Sequence, residues 1–193
     1  MIIGITGGTG CGKTTLLNLI AEMGGLIIDC DTVYHRLLRT DAAMLAAIDA
    51  AFPGTVVSGE LDRKALGRIV FADKDALLKL NAITHSAVKA EVLHLLSPMP
   101  ALAAIDAIGL FEGGLAELCD VTVAVTAPAE IRVQRLMVRD GISEEYAKAR
   151  IGAQRPQAEF SQLCDHTLCN DTNPAEFREK CLAFFQGLGI IKA

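Results

Sequence analysis

Short apolar segments alternate with amphipathic stretches along most of the chain, and this alternation predicts strands and helices in turn. Segments rich in Ile, Leu, Val and Thr predict five strands, at 2–6, 26–28, 102–108, 121–126 and 167–169. Stretches with apolar positions at helical spacing lie between them, for example at 13–23. Because strands that alternate with helices form parallel βαβ units, we predict an α/β fold whose five-stranded parallel sheet is covered by helices on both faces.

One segment, from about residue 40 to about residue 96, interrupts this alternation because its pattern is helical throughout. The pattern predicts helices at 42–51 and 73–96, with another at 61–71 after a turn. We expect this segment to pack over one end of the sheet as a helical insert. The sequence contains no repeats or linkers, so residues 1–193 are predicted to form a single domain.

The most specific feature is a complete match to the pattern G-x-x-x-x-G-K-[ST], in the segment Gly7-Gly8-Thr9-Gly10-Cys11-Gly12-Lys13-Thr14. A predicted strand precedes this phosphate loop (residues 7–14) and a predicted helix follows it. Glycines allow backbone N–H groups to face phosphate oxygens, and the helix adds the positive end of its dipole. The pattern predicts that Lys13 reaches the β- and γ-phosphates of a nucleotide and that the Thr14 hydroxyl binds Mg²⁺. A turn with no ligand would not account for these two residues.

A phosphate loop indicates a nucleotide but not a reaction, so a small-molecule kinase, a GTPase switch and a larger ATPase module are all considered. The segment Asp106-Ala107-Ile108-Gly109 has the D-x-x-G form of a GTPase, but with 17 glycines in the chain about one such match is expected by chance. The N-K-x-D tetrapeptide that reads guanine is absent from the sequence. A motor or transporter ATPase normally needs a longer chain, so the sequence favours a kinase.

Two carboxylates follow the second predicted strand, at Asp29 and Asp31. Ligands of an open α/β sheet gather at the carboxyl ends of its strands, where the phosphate loop also lies. Because a kinase needs a carboxylate near the acceptor hydroxyl, we predict that Asp31 accepts the hydroxyl proton. Asp29 would then support the loop or the metal. In the alternative, Asp31 only caps the next helix, and the residue taken alone favours that interpretation.

Arginines recur at helical spacing after the fourth predicted strand. Arg132, Arg135 and Arg139 share one face of a helix predicted to run from 128 to about 140, and Arg150 and Arg155 follow. Arg135 and Arg139 are predicted to fold over a triphosphate as part of a small lid at about 135–160, where they would stabilise the charge of the transferring phosphoryl group. A solvated basic surface is the alternative, and it is the interpretation we give to Arg132.

Composition limits the possible partners. The chain has 18 basic and 23 acidic residues, a net charge of −5, 5% aromatic residues and no tryptophan, a poor composition for nucleic-acid binding. No apolar run reaches the roughly 20 residues that a membrane-spanning helix requires, and the first residues do not resemble a signal peptide. The six cysteines are scattered and contain no C-x-x-C pair. We therefore predict a cytoplasmic protein with reduced cysteines and with neither a nucleic-acid nor a membrane partner.

Several motifs together resemble the dephospho-CoA kinase family, nearly from end to end. Residues 5–15 are similar to the family's opening LTGGIGSGKST, and 28–31 (IDCD) are similar to its IDAD. Residues 61–71 match LDRKALGRIVF, which is the most discriminating block because a bare phosphate-loop kinase has no need of it. Residues 80–85 resemble LNAIxHP, and 110–112 resemble the end of DIPLLFE.

The resemblance implies transfer of the ATP γ-phosphate to the ribose 3′-hydroxyl of dephospho-CoA, with Mg²⁺. We expect the chain to act as a monomer, although its sequence does not determine an oligomeric state. It implies Asp31 as the base, with Lys13 and Arg139 completing the catalytic set. For the nucleotide it implies a second group, namely Gly8, Thr9, Gly10, Cys11, Gly12, Lys13, Thr14, Thr15, Arg135 and Asn170, the last beside the base. For the acceptor it implies a third group within or near the helical insert, namely Arg63, Lys64, Arg68, His85 and Leu110.

The chain departs from the family pattern beside the predicted acceptor site. Ser86 replaces a proline after His85, and Ile108-Gly109 replace Pro-Leu before Leu110. These changes are expected to reshape the wall of the acceptor pocket while sparing the reacting groups. A kinase for another small hydroxylated acceptor and a non-catalytic nucleotide-binding switch therefore remain as alternatives.

Overall fold

The computed structural model describes residues 1–191 and contains the predicted five-stranded parallel sheet. The strands are β1 (Ile2–Thr6), β2 (Leu26–Asp29), β3 (Val56–Val57), β4 (Glu60–Leu61), β5 (Ala103–Asp106), β6 (Val121–Thr126) and β7 (His166–Cys169). The order across the main sheet is β2-β5-β1-β6-β7, with all neighbours parallel. Because β1 lies between β5 and β6, the residues that follow these three strands meet at one edge of the sheet.

Helices cover both faces of this sheet. They are α1 (Lys13–Glu22), α2 (Cys30–Thr40), α3 (Ala42–Ala51), α4 (Arg63–Val70), α5 (Lys74–Leu96), α6 (Ala129–Asp140), α7 (Glu144–Gly152), α8 (Gln157–Leu163) and α9 (Pro174–Gly187). Ser143 and Asn173 cap α7 and α9 with their side chains, as their positions in the sequence suggest. Pro128 is the residue before α6 and not its first residue, so that prediction was wrong by one position.

Two hydrophobic cores hold the sheet between its helices. On one face, Ile28 and Ile105 pack with Leu37 and Val92, which come from α2 and α5. On the other face, Ile3, Ile5 and Val123 pack with side chains of α1 and α9, namely Leu16, Ile20, Phe177 and Phe185. All of these side chains are at least nine-tenths buried. Burial on both faces explains why the sequences of these strands are continuous apolar runs and do not alternate between apolar and polar residues.

The segment at 40–96 is not helical throughout, which corrects the sequence-based prediction. Between α3 and α4 the chain forms the antiparallel hairpin of β3 and β4. Its turn is Ser58-Gly59, and both residues have positive φ angles, 53° and 83°. Two-residue hairpin turns favour this backbone conformation, and glycine adopts it without strain. The hairpin precedes α4. Helices α2, α3 and α4 all pack against the long helix α5.

Two further predictions concern the chain as a whole. No helix in the described part of the chain has the length and apolar character that a membrane crossing would require. The six cysteines, all within residues 1–191, form no disulfide, and three of them are buried.

Candidate active site

The phosphate loop follows β1 directly and leads into α1. Gly10 and Gly12 have φ angles of 78° and 93°, in the left-handed region that favours glycine. Gly7 has φ 139°, and a Cβ atom there would lie 2.2 Å from the carbonyl oxygen of Val125. Among residues 1–191, no side chain caps the start of α1. The first amides of α1 are therefore available to an anion.

A cavity of about 810 Å³ opens over this loop. We call it the loop cavity. Its lining brings together the phosphate loop and residues that are distant in sequence, namely Asp31, Asp106, Arg135, Arg139, Arg150 and Gln154. Two residues predicted to contact the nucleotide, Thr15 and Asn170, do not line it. Asn170 is 4% exposed, and its amide donates to the carbonyl oxygen of Cys11 at 2.9 Å. Asn170 therefore supports the loop from behind.

Asp106 begins the D-x-x-G segment, a match that is expected by chance in a sequence of this composition. It ends β5, beside β1, and its Oδ1 atom lies 3.9 Å from Lys13 Nζ. That oxygen is buried and has no hydrogen-bond partner among the described residues. Burial raises the pKa of Asp106 to about 6, with Asp29 and Asp31 adding to the rise and Lys13 opposing it. The feature that could have indicated a functional role for Asp106 is its position at the carboxyl end of a strand next to β1.

Thr14 and Asp106 offer oxygen ligands in the loop cavity. Thr14 is exposed, and Asp106 carries an unsatisfied carboxylate oxygen. Within residues 1–191, no group of three or more His, Cys, Asp or Glu side chains forms a metal site. Mg²⁺ is usually held by one or two carboxylates together with phosphates and water, so these two residues fit Mg²⁺ and do not form a closed metal cage.

Asp29 and Asp31 divide the two roles that the sequence left open. The Asp29 carboxylate caps α2, because its Oδ1 accepts from the backbone N–H groups of Asp31 at 2.9 Å and of Thr32 at 3.2 Å. Its Oδ2 accepts from the Thr32 hydroxyl at 2.8 Å. The cap is thus supplied by Asp29, and the carboxylate of Asp31 remains exposed at the cavity.

A second cavity, of about 340 Å³, adjoins the loop cavity. We call it the adjacent cavity. Asp31 and Ile108 line both cavities. The remaining walls come mainly from α2 and α5 and include Tyr34, Leu80, Asn81, Thr84 and His85. His85 Nδ1 lies 3.2 Å from the backbone carbonyl oxygen of Glu112, which orients the ring. A ligand in the adjacent cavity would therefore contact Asp31, which also lines the loop cavity.

The other predicted acceptor residues lie outside the adjacent cavity. Arg63 lines a smaller cavity of about 160 Å³ that shares Tyr34 and Leu80 with it. Lys64 and Arg68 are exposed on α4 and line neither cavity. Leu110 is 0% exposed. Its prediction as a contact residue is corrected here, because a fully buried side chain in the hydrophobic core presents no surface to a ligand.

Most of the chain matches the model of a known protein family. A family model described as Dephospho-CoA kinase matches residues 1–176. The chain belongs to the dephospho-CoA kinase family. A dephospho-CoA kinase from Mesorhizobium japonicum is 40% identical over 169 residues, covering 86% of this chain and 85% of the relative.

Solved structures agree with this placement in the dephospho-CoA kinase family. A crystal structure from Thermus thermophilus superimposes with a TM-score of 0.82 at 36% identity, covering 100% of this chain and 98% of the other. A dephospho-CoA kinase from Campylobacter jejuni has a TM-score of 0.68 at 28% identity, covering 98% of each chain. The fold is therefore that of the phosphate-loop kinases, as predicted.

The two lid arginines that the dephospho-CoA kinase resemblance implies, Arg135 and Arg139, and the neighbouring Arg132 are held in three different ways. Arg135 donates to the carbonyl oxygens of Gly10 at 3.3 Å and Cys11 at 3.4 Å. Arg139 pairs with Asp140 at 2.7 Å. Hydrogen bonds from Arg139, and to a smaller extent from Arg150, lower the pKa of the Asp140 carboxyl to about 2. Arg132 is 3% exposed. The prediction of a solvated Arg132 was wrong because its side chain turns inward to the phosphate loop.

Proposed function

We propose that this chain transfers the γ-phosphate of ATP to the ribose 3′-hydroxyl of dephospho-CoA and so forms coenzyme A. One observation carries the proposal: the carboxylate of Asp31 lines both the loop cavity and the adjacent cavity. A donor held by the phosphate loop and an acceptor in the adjacent cavity would meet at that carboxylate. Membership of the dephospho-CoA kinase family supports the choice of acceptor.

On the donor side, the backbone amides of the phosphate loop bind the β- and γ-phosphates. Lys13 Nζ now donates to the carbonyl oxygen of Gly7 at 2.9 Å, from within the loop cavity, and it turns to the phosphates when they are present. Thr14 and Asp106 would hold Mg²⁺, which when bound neutralises part of the phosphate charge. Arg135 and Arg139 stabilise the negative charge that spreads over the transferring group.

On the acceptor side, Asp31 orients the 3′-hydroxyl and accepts its proton as the phosphoryl group arrives. This role requires a carboxylate with no structural hydrogen bond to lose, and Asp29 leaves Asp31 in that state by capping α2. His85, Tyr34 and Asn81 line the space next to it. These residues bind the acceptor, and Arg63 lies farther along the same row of cavities.

The division of the chain follows from these roles. The segment at about 40–96 binds the acceptor, and the segment at about 135–160 acts as the lid. An ion pair between Arg155 and Glu112 links the lid to the acceptor side of the site. Both cavities are formed within one chain, which is compatible with the monomer that we propose, acting in the cytoplasm.

An assay that couples ADP release to a panel of acceptors tests the proposed function. Dephospho-CoA is expected to give rapid turnover, with the new phosphate located on the 3′-oxygen by ³¹P NMR. Turnover with a nucleoside monophosphate or a sugar in its place would indicate a different small-acceptor kinase. ATP binding with no acceptor turned over would indicate a nucleotide-binding switch and would refute the proposal.

Asp106→Asn is expected to stabilise the nucleotide-free protein while weakening its use of Mg²⁺. Burial raises the pKa of Asp106 from 3.8 to about 6, so its protonated form contributes stability below pH 4 that is lost as the pH rises through 6. At pH 8 the ionised carboxylate costs stability, and asparagine removes that cost. We expect the free energy of unfolding in urea to rise by about 2 kcal/mol at pH 8 and to be nearly unchanged at pH 4.

Activity measurements complete this test of Asp106. The same variant should need a higher Mg²⁺ concentration for half-maximal turnover, because one oxygen ligand has lost its charge. A stability gain that is equal at pH 4 and pH 8 would contradict the assignment of the raised pKa.

A further inference from the structure

Arg132 is enclosed beside the phosphate loop. Its Nε donates to the carbonyl oxygen of Thr9 at 2.8 Å, and its Nη2 donates to the side-chain oxygen of Gln154 at 3.1 Å. The same Gln154 oxygen accepts from the backbone N–H of Thr9 at 2.8 Å. Arg132, Gln154 and Thr9 therefore form a closed ring of hydrogen bonds that fixes the middle of the loop.

The loop backbone approaches this arginine closely. A Cβ atom on Gly8 would lie 2.4 Å from Arg132 Nη2, and one on Gly10 would lie 3.0 Å from the Arg132 carbonyl oxygen. The absence of side chains at these two positions leaves room for Arg132. Two glycines of the phosphate loop are thus needed for packing against α6 as well as for their backbone conformation.

The charge of Arg132 has no anionic partner in the part of the chain that the structure describes. Within residues 1–191 the guanidinium forms no ion pair with a carboxylate, and its two acceptors are neutral amide oxygens. A buried guanidinium keeps its charge, and a buried charge is costly unless an opposite charge compensates it. Burial raises the pKa of the Cys11 thiol, and the positive charge of Arg132 opposes part of that rise. The electrostatic field of Arg132 therefore extends to the phosphate loop.

We propose that Arg132 is a positioning residue for the nucleotide phosphates, which it serves by fixing the Thr9 segment and by holding an uncompensated positive charge beside the loop. Bound phosphates supply the missing negative charge. The inference rests on the proposed binding of ATP by the phosphate loop. It assigns Arg132 a different role from Arg135 and Arg139, since Arg132 does not line the loop cavity and acts from behind the backbone.

Arg132→Gln tests this inference, because glutamine keeps hydrogen-bonding capacity and loses the charge. Dissociation constants for ATP, ADP and AMP would be measured by calorimetry without Mg²⁺, so that the ligand charge decreases along the series. We expect ATP binding to weaken roughly ten-fold, ADP binding less and AMP binding least. Arg132→Lys retains the charge and should stay close to the parent protein in its ratio of ATP to ADP affinity.

The control is Arg178→Gln, which removes the same charge from a half-buried arginine that pairs with Glu22 away from the loop cavity. It should leave all three dissociation constants unchanged. Equal weakening of the three nucleotides by Arg132→Gln, or a lysine variant whose ATP to ADP ratio matches that of the glutamine variant, would overturn the inference. If thermal unfolding shows that Arg132→Gln does not fold, Arg132→Lys alone decides. A ratio of ATP to ADP affinity in Arg132→Lys that falls clearly below that of the parent protein would also overturn the inference.

Lys13→Ala separates this inference from the proposed function. If Lys13→Ala weakens ATP binding and Arg132→Gln does not, only the role of Arg132 is wrong. If neither variant changes ATP binding, the phosphate loop is not the nucleotide site and both proposals fail.

Discussion

Asp31→Asn is expected to bind ATP as the parent protein does and to lower kcat by roughly 10²–10⁴-fold, the range for loss of a general base. Asparagine has the same shape as aspartate but cannot accept the proton of the 3′-hydroxyl. The fold should be unaffected because the start of α2 is capped by Asp29 and not by Asp31. Steady-state kinetics with dephospho-CoA and a separate ATP titration provide the two measurements.

The control for this variant is Asp75→Asn, an exposed carboxylate in the first turn of α5. It makes the same chemical change away from both cavities and should leave kcat unaltered. An Asp31→Asn protein with nearly normal turnover would show that another group takes the proton. A variant with weakened ATP binding would instead place Asp31 in the nucleotide site.

Lys13→Ala is expected to lower kcat/KM for ATP on the order of 10²–10³-fold, because a positive charge aimed at the transferring phosphoryl group is lost. Nucleotide binding should weaken as well, since Lys13 lines the loop cavity. The loss also removes the charge that opposes the pKa rise of Asp106, so that carboxyl should hold its proton to a higher pH.

Lys180→Ala is the matched control, because Lys180 is exposed and pairs with Asp171 outside the cavities. It should behave as the parent protein in both binding and turnover. Unchanged ATP affinity and turnover in Lys13→Ala would refute the nucleotide site. Weakened binding with unchanged kcat would limit Lys13 to ground-state binding.

Much of the fold could be predicted from local pattern. The strands at 2–6 and 121–126 and the helix at 42–51 agree residue for residue with β1, β6 and α3. Apolar runs and helical periodicity depend on neighbours a few residues apart, and the sequence contains that information directly. The β3–β4 hairpin was missed because each strand has only two residues, too few to show a period.

The candidate site likewise has a part that could be predicted from the sequence and a part that could not. The phosphate loop and the neighbouring Asp29 and Asp31 could be predicted because their roles follow from short spacing beside a strand end. The burial of Arg132 and of the Asp106 carboxylate could not be predicted, since whether a side chain is buried depends on contacts between distant parts of the chain. Arg132 contacts Thr9, 123 residues away in sequence, and Asp106 reaches Lys13 only because β5 pairs with β1.

By itself, the sequence determined that this chain is a phosphate-loop protein with a parallel sheet and a helical segment resembling the dephospho-CoA kinases. Those properties follow from local backbone geometry and periodicity. Only the tertiary structure decided which aspartate caps α2, which carboxylate oxygen lacks a hydrogen-bond partner among the described residues, and which arginine is buried behind the loop. Burial, pKa and charge compensation depend on the atoms that surround a group from distant parts of the chain.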